Sequence, residues 1–193
     1  MSRVIDGRSE AEAVRQYIEP FQQAIAAFAE NIVFTQSRPN PKTLVRALTI
    51  ASVEVVMLQD GDGALRLAVG IELGFRAVQL PGQPRRWTVE TAKYIYHLNE
   101  PARPTRKLVG YHWHPEVEGI TFPHIHMYAA EGAARKLHVA TPHSTIKEVL
   151  TTAMRDYAVA PRERHRDNWA ALLQAADETL QASMGWAMPA RPA

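Results

Sequence analysis

The stretch YHWHPEVEGITFPHIHMY, residues 111 to 128, decides how this chain is read. It holds two His-x-His pairs, His112 with His114 and His124 with His126. In an extended strand the side chains at i and i+2 leave the same face, so each pair projects together. Tyr111, Trp113, Pro123, Ile125 and Met127 then point the other way. PEVEG between the two pairs is short and turn-rich, which predicts an antiparallel hairpin. Setting His112 opposite His126 sets His114 opposite His124, and all four imidazoles share a face. Cross-strand neighbours lie roughly 4.5–5.5 Å apart at Cβ, close enough to share a metal, a proton or an anion. A slip of one residue would send one pair to the opposite face.

The texture on both sides of this hairpin is β. VEVVMLQ at 53–59, DGDG and ALRLAVGIELGF at 64–75 predict a strand, a Gly-rich turn and a second strand. PGQP at 81–84 is another turn. WTVETAKYIYHL at 87–98, KLVGYHWH at 107–114, FPHIHMY at 122–128 and KLHVAT at 136–141 are further strands. Helical spacing appears at the two ends. Ser9 and Glu12 form a capping box ahead of Val14, Tyr17, Ile18, Phe21, Ile25 and Phe28. Pro20 either kinks this helix or starts a second one. Asn40 and Pro41 predict a short helix through Leu44, Val45 and Leu48. Thr145 with Glu148, or Ser144 in its place, caps a helix striped by Ile146, Val149, Leu150, Ala153, Met154 and Tyr157, and Trp169 to Leu180 reads as another. The expected fold is α+β: an antiparallel sheet over about 52–141, flanked by N-terminal and C-terminal helices. One domain spans 1–185, and 186–193 reads as a flexible tail.

Composition narrows the chemistry. The 193 residues contain 22 Lys and Arg against 20 Asp and Glu, a net charge of +2, so this is no highly charged nucleic-acid coat. Cysteine is absent, which excludes disulfides, thiolate nucleophiles and Cys-based zinc sites. Any metal rests on His, Asp or Glu. No apolar run suggests a signal peptide or a membrane span, and a soluble cytoplasmic protein without a membrane partner is the expectation. No P-loop, GxGxxG or GxSxG occurs.

Two chemistries suit the imidazoles. In the first, His112 and His124 are an acid–base pair able to cleave RNA at its 2′-hydroxyl. His114, His126 and His138 then orient or bind substrate, and Lys93 stabilises charge from the neighbouring strand. In the second, His112, His114, His124 and His126 bind zinc or nickel, three of them with water as a catalytic shell or all four as a closed one. Glu116 and Glu118 are the carboxylates nearest in sequence. A third possibility is that the histidines are packing residues of an aromatic-rich sheet or a protein-interaction surface. His97 and His143 read as ordinary residues, RERHRD at 162–167 as a solvated helix start, and DGDG as a hairpin turn.

The residues Tyr111, His112 and Trp113, then Phe122, Pro123, His124 and His126, then His138 and the Ser144-led helix form a pattern. It resembles the TumE-like proteins of bacterial toxin–antitoxin modules. The resemblance covers about a third of the chain and leaves 1–50 unmatched, and one residue separates His124 from His126, a tighter spacing than the family's. It implies a small cytoplasmic bacterial protein, a toxin acting on RNA or another nucleic acid, with a protein antitoxin as partner.

Overall fold

The computed structural model describes residues 5–30, 32, 34–50, 55–115, 120–128 and 137–184. The expected tail at 186–193 and the two glutamates of the hairpin connection, Glu116 and Glu118, lie outside the described residues. Eight strands form one antiparallel sheet: β1 Phe34–Gln36, β2 Arg46–Ile50, β3 Val56–Gln59, β4 Leu65–Leu80, β5 Gln83–Glu100, β6 Arg103–Trp113, β7 His124–Met127 and β8 His138–Ala140. From β4 to β8 each strand pairs with the next in sequence. β2 and β3 both pair with the remaining edge of β4, β3 along its first residues and β2 further on. The helices are α1 Glu10–Ala26, α2 Ile146–Tyr157 and α3 Trp169–Ser183. The expected α+β architecture is the observed one.

Alternation along the strands explains why the helices cover a single face. Leu67, Val69, Ile71 and Leu73 of β4 sit beside Tyr94, Tyr96 and Leu98 of β5 in one apolar layer. That layer packs against Tyr17, Phe21 and Ile25 of α1, Val149 and Leu150 of α2, and Leu173, Ala176 and Leu180 of α3. Polar groups lock the layers together. Tyr17 and Thr91 share a hydrogen bond of 3.0 Å, Thr91 and Ser183 one of 2.7 Å. The backbone N–H of Ser144 donates to the Tyr94 hydroxyl at 2.8 Å. Thr145 and Glu148 make the expected capping box at the start of α2.

The Tyr96 hydroxyl is different: it is buried and has no hydrogen-bond partner among the described residues. An orphaned buried hydroxyl costs about 1–3 kcal/mol. Tyr96→Phe is therefore expected to hold or raise the thermal midpoint, while Tyr94→Phe, which strands the Ser144 N–H, lowers stability by about 1 kcal/mol. Calorimetric melts of both variants check the contrast, and a Tyr96→Phe protein less stable than Tyr94→Phe would refute it.

One local expectation is corrected, and one of the two readings of Pro20 is removed. The short helix through Leu44, Val45 and Leu48 does not form. Asn40 instead accepts from the Lys42 N–H at 2.9 Å in a turn, Leu44 takes a left-handed φ of 57°, and β2 begins at Arg46. Thr43, Val45, Thr49 and Ile50 are β-branched, and pairing with β4 outweighs a weak three-residue helical spacing. Pro20 starts no second helix, because α1 runs unbroken from 10 to 26 with Pro20 buried inside it.

Candidate functional site

The sheet face opposite the helices carries the histidines. The observed pairing sets His112 opposite His124 and Gly110 opposite His126. The expected register, with His112 opposite His126, is thus off by two residues. A shift of two preserves the face, since side chains alternate with period two. The shared face therefore survives the slip. One row across the sheet reads Gly70, His97, Gly110, His126, His138, and the next reads Glu72, Ile95, His112, His124, Ala140. His114 follows the end of β6 and leans back over the second row, its ring 5.2 Å from that of His124.

Six imidazoles thus form a continuous patch. Ring centres lie 4.4 Å apart for His112 and His126, 4.8 Å for His124 and His126, and 4.3 Å for His126 and His138. His97, read from sequence as ordinary, belongs to the patch: its Nε2 is 3.0 Å from Nε2 of His112. The signal for it was its parity with Gly110 on the adjoining strand rather than any motif of its own. His143 stands apart on the helix side, 4.8 Å from the Trp113 ring. Lys93 shares the histidine face through its pairing with Gly74, but its ammonium is held at 2.5 Å by Glu72. Its expected role as a free charge stabiliser meets an ion pair already made.

Gly110 makes the convergence possible. A Cβ there would lie 2.7 Å from His112 Nε2, 2.9 Å from Tyr128 Cε2 and 3.1 Å from His97 Cδ2. The space above its backbone is filled by these three rings. Tyr128 stacks on His126 at 5.4 Å, and the Lys107 ammonium rests 5.6 Å from the Tyr128 ring centre.

Protonation states follow from burial. His124 is fully buried and His112 is 8% exposed. Desolvation, followed by repulsion from neighbouring imidazoles, pushes His112 down to about 2. The same two causes take His126 to about 4, and burial with the nearby Lys107 takes His97 to about 4. Burial also lowers His124, although its bond to the Phe122 carbonyl opposes the shift. These four rings, His97, His112, His124 and His126, are neutral at pH 7. In His124 the tautomer is fixed: Nδ1 lies 2.9 Å from the Phe122 carbonyl oxygen, which only accepts, so Nδ1 carries the proton and donates. Nε2 keeps its lone pair, aimed at Nε2 of His126 3.1 Å away.

The ligand atoms of His112, His124 and His126 all lie within 4.8 Å of one another, so this group can hold a metal ion. Two nitrogens bound to one tetrahedral zinc at ~2.0–2.1 Å are roughly 3.3 Å apart, close to the observed 3.1 Å. The backbone carbonyl behind His124 is the kind of outer partner that orients a metal-binding imidazole. Nδ1 of His114 is buried with no partner among the described residues, beside the triad. A groove of about 1270 Å³ opens next to His97 and His112, floored by Gly70 and Ile95 and bordered by Met57, Thr105 and Lys107. No protein family, curated protein or solved structure matches the chain. No described helix is long and apolar enough to cross a membrane.

Depressed imidazoles also make the metal-free fold acid-sensitive. Their folded values fall below the ordinary ~6.5, so the unfolded chain binds more protons between that value and about 4. The stabilisation is complete above ~6.5 and is lost as pH falls, at up to ~1.4 kcal/mol per pH unit for each ring. Chelator-treated protein should show a thermal midpoint that drops steeply between pH 6.5 and 5, above the range of ordinary carboxylates. A flat profile there contradicts the burial of neutral rings.

Proposed function

We propose that the histidine face is a transition-metal centre, with His112, His124 and His126 as its ligands and His114 or a water molecule completing the shell. The observation that carries this is the fixed tautomer of His124, whose Nε2 lone pair faces Nε2 of His126 at 3.1 Å with His112 alongside. Neutral imidazoles are the form that binds zinc, nickel or copper. A metal ion held by these histidines would lower the pKa of bound water and polarise phosphoryl oxygen. Metal-assisted cleavage of RNA entering along the groove is the activity we assign to it, with Lys107 at the groove's border as the phosphate contact we propose. The toxin-like resemblance around 111–157 supports an RNA substrate, a cytoplasmic setting and an antitoxin partner. Acid–base cleavage by His112 and His124 alone is the weaker reading, because burial holds His112 near 2 and leaves no imidazolium acid at neutral pH. His138 and His97 border the centre.

The test is metal analysis of purified, extensively dialysed protein, followed by incubation with RNA before and after chelation. Stoichiometric zinc, nickel or copper and a chelator-sensitive cleavage are expected. Metal-free protein that binds none of the three on titration overturns the metal centre. Metal-loaded protein that leaves RNA intact overturns the activity.

A further inference from the structure

A tetrahedral ion takes at most four imidazoles, and this face presents six. The surplus is organised. Two separate Nε2···Nε2 pairs occur, His97 with His112 at 3.0 Å and His124 with His126 at 3.1 Å. Each has nearly the spacing of two ligands on one metal, and each joins side chains from different positions of the pairing pattern. The first pair bridges β5 and β6, and the second lies within β7. The pairs adjoin, since the rings of His112 and His126 are centred 4.4 Å apart. Gly110 lies between His97 and His126 in the row and contributes no side chain there. Further nitrogens stand at the outer end: His114 beside His124, and His138 beside both His124 and His126.

We propose that the face binds two metal ions: His112 leaves the single-ion shell to join His97 on the second ion, and His114 and His138 complete the shell of the first beside His124 and His126. This rests on the metal reading above and extends it to a ligand, His97, that no motif marks. The charge pattern sets a condition on the second ion. Among the described residues the groups acting on these rings are other imidazoles, the Phe122 carbonyl and Lys107, and the carboxylate in their row, Glu72, is paired with Lys93. Two dications a few ångströms apart in an uncharged ligand set repel each other unless an anion bridges them. Paired metals of this kind clamp the oxygens of a phosphodiester from both sides. The groove bordered by Lys107 delivers such an anion to the His97 end. The His124–His126 ion should therefore bind on its own, and the His97–His112 ion should bind with help from a phosphodiester.

The experiment is a cobalt(II) titration of the full chain, followed by visible absorption, with and without dimethyl phosphate. The wild-type protein should take up one cobalt per chain alone and two in its presence, with second-ion affinity raised at least about tenfold. His97→Ala, and the more conservative His97→Gln, should bind a single cobalt under both conditions while circular dichroism shows the fold intact. Saturation at one cobalt with the phosphodiester present overturns the second site and leaves the mononuclear centre standing. Two ions retained by a folded His97 variant also overturn it. No cobalt bound at all removes both readings.

Discussion

Replacing His124 with alanine is expected to weaken metal binding by roughly a hundredfold or more, because even outer partners of a ligand cost 10–100-fold when lost. His124 is the residue on which the centre turns. It is fully buried, its Nδ1 proton is committed to the Phe122 carbonyl, and its Nε2 faces His126. Alanine removes the lone pair and the hydrogen bond that orients it. Isothermal titration with zinc reads the loss directly. His143→Ala is the matched control: it removes an imidazole from the helix side, 4.8 Å from Trp113, and should leave zinc affinity unchanged. Equal loss in both variants would show that binding is not localised on the histidine face.

Gly110→Ala is expected to weaken zinc binding by about tenfold or more with little loss of stability. One methyl group in that position meets His112 Nε2 at 2.7 Å and the edge of the Tyr128 ring at 2.9 Å. Both contacts are the far ends of side chains that face the groove side of the sheet, so they can swing away without disturbing the core. Alanine is tolerated in a strand, and β6 keeps its backbone pairing on both sides. The consequence falls on geometry, because metal affinity depends on nitrogens held within a few tenths of an ångström. Zinc affinity and the thermal midpoint should therefore separate. An alanine variant that binds zinc like the wild type would mean that the rings do not need the space above Gly110.

The sheet and its helices were legible because their signals are periodic. Turns at DGDG and PGQP bound long alternating runs, and Ser9 and Thr145 announce the helices they cap. β1 and β2 were not legible. Arg38, Pro39 and Pro41 break the local pattern, and Arg46–Ile50 is a strand chiefly because β4 extends far enough to pair with it. The length of β4, 16 residues, comes from partners on both edges, which no window along the chain can reveal.

The site was half legible for a related reason. His-x-His spacing places two rings on a face whatever the partner strand does, so the common face could be read without the register. The register itself depends on the connection at PEVEG, whose length alone does not select the pairing. A two-residue difference moved His126 from His112 to Gly110 and left His114 beyond the ladder. His97 had no companion two residues away, and only strand pairing puts it against His112. Lys93 was placed on the correct face, but its reach to Glu72 follows from Gly74 opposite it, which leaves the side chain room to lie across the strand.

X-ray absorption at the zinc edge, on protein loaded with one equivalent of zinc, tests the centre most directly. The expected first shell is three or four nitrogen donors at ~2.0–2.1 Å, with the outer-shell scattering pattern of imidazole rings. A shell of six oxygen donors, or one without imidazole scattering, would contradict it.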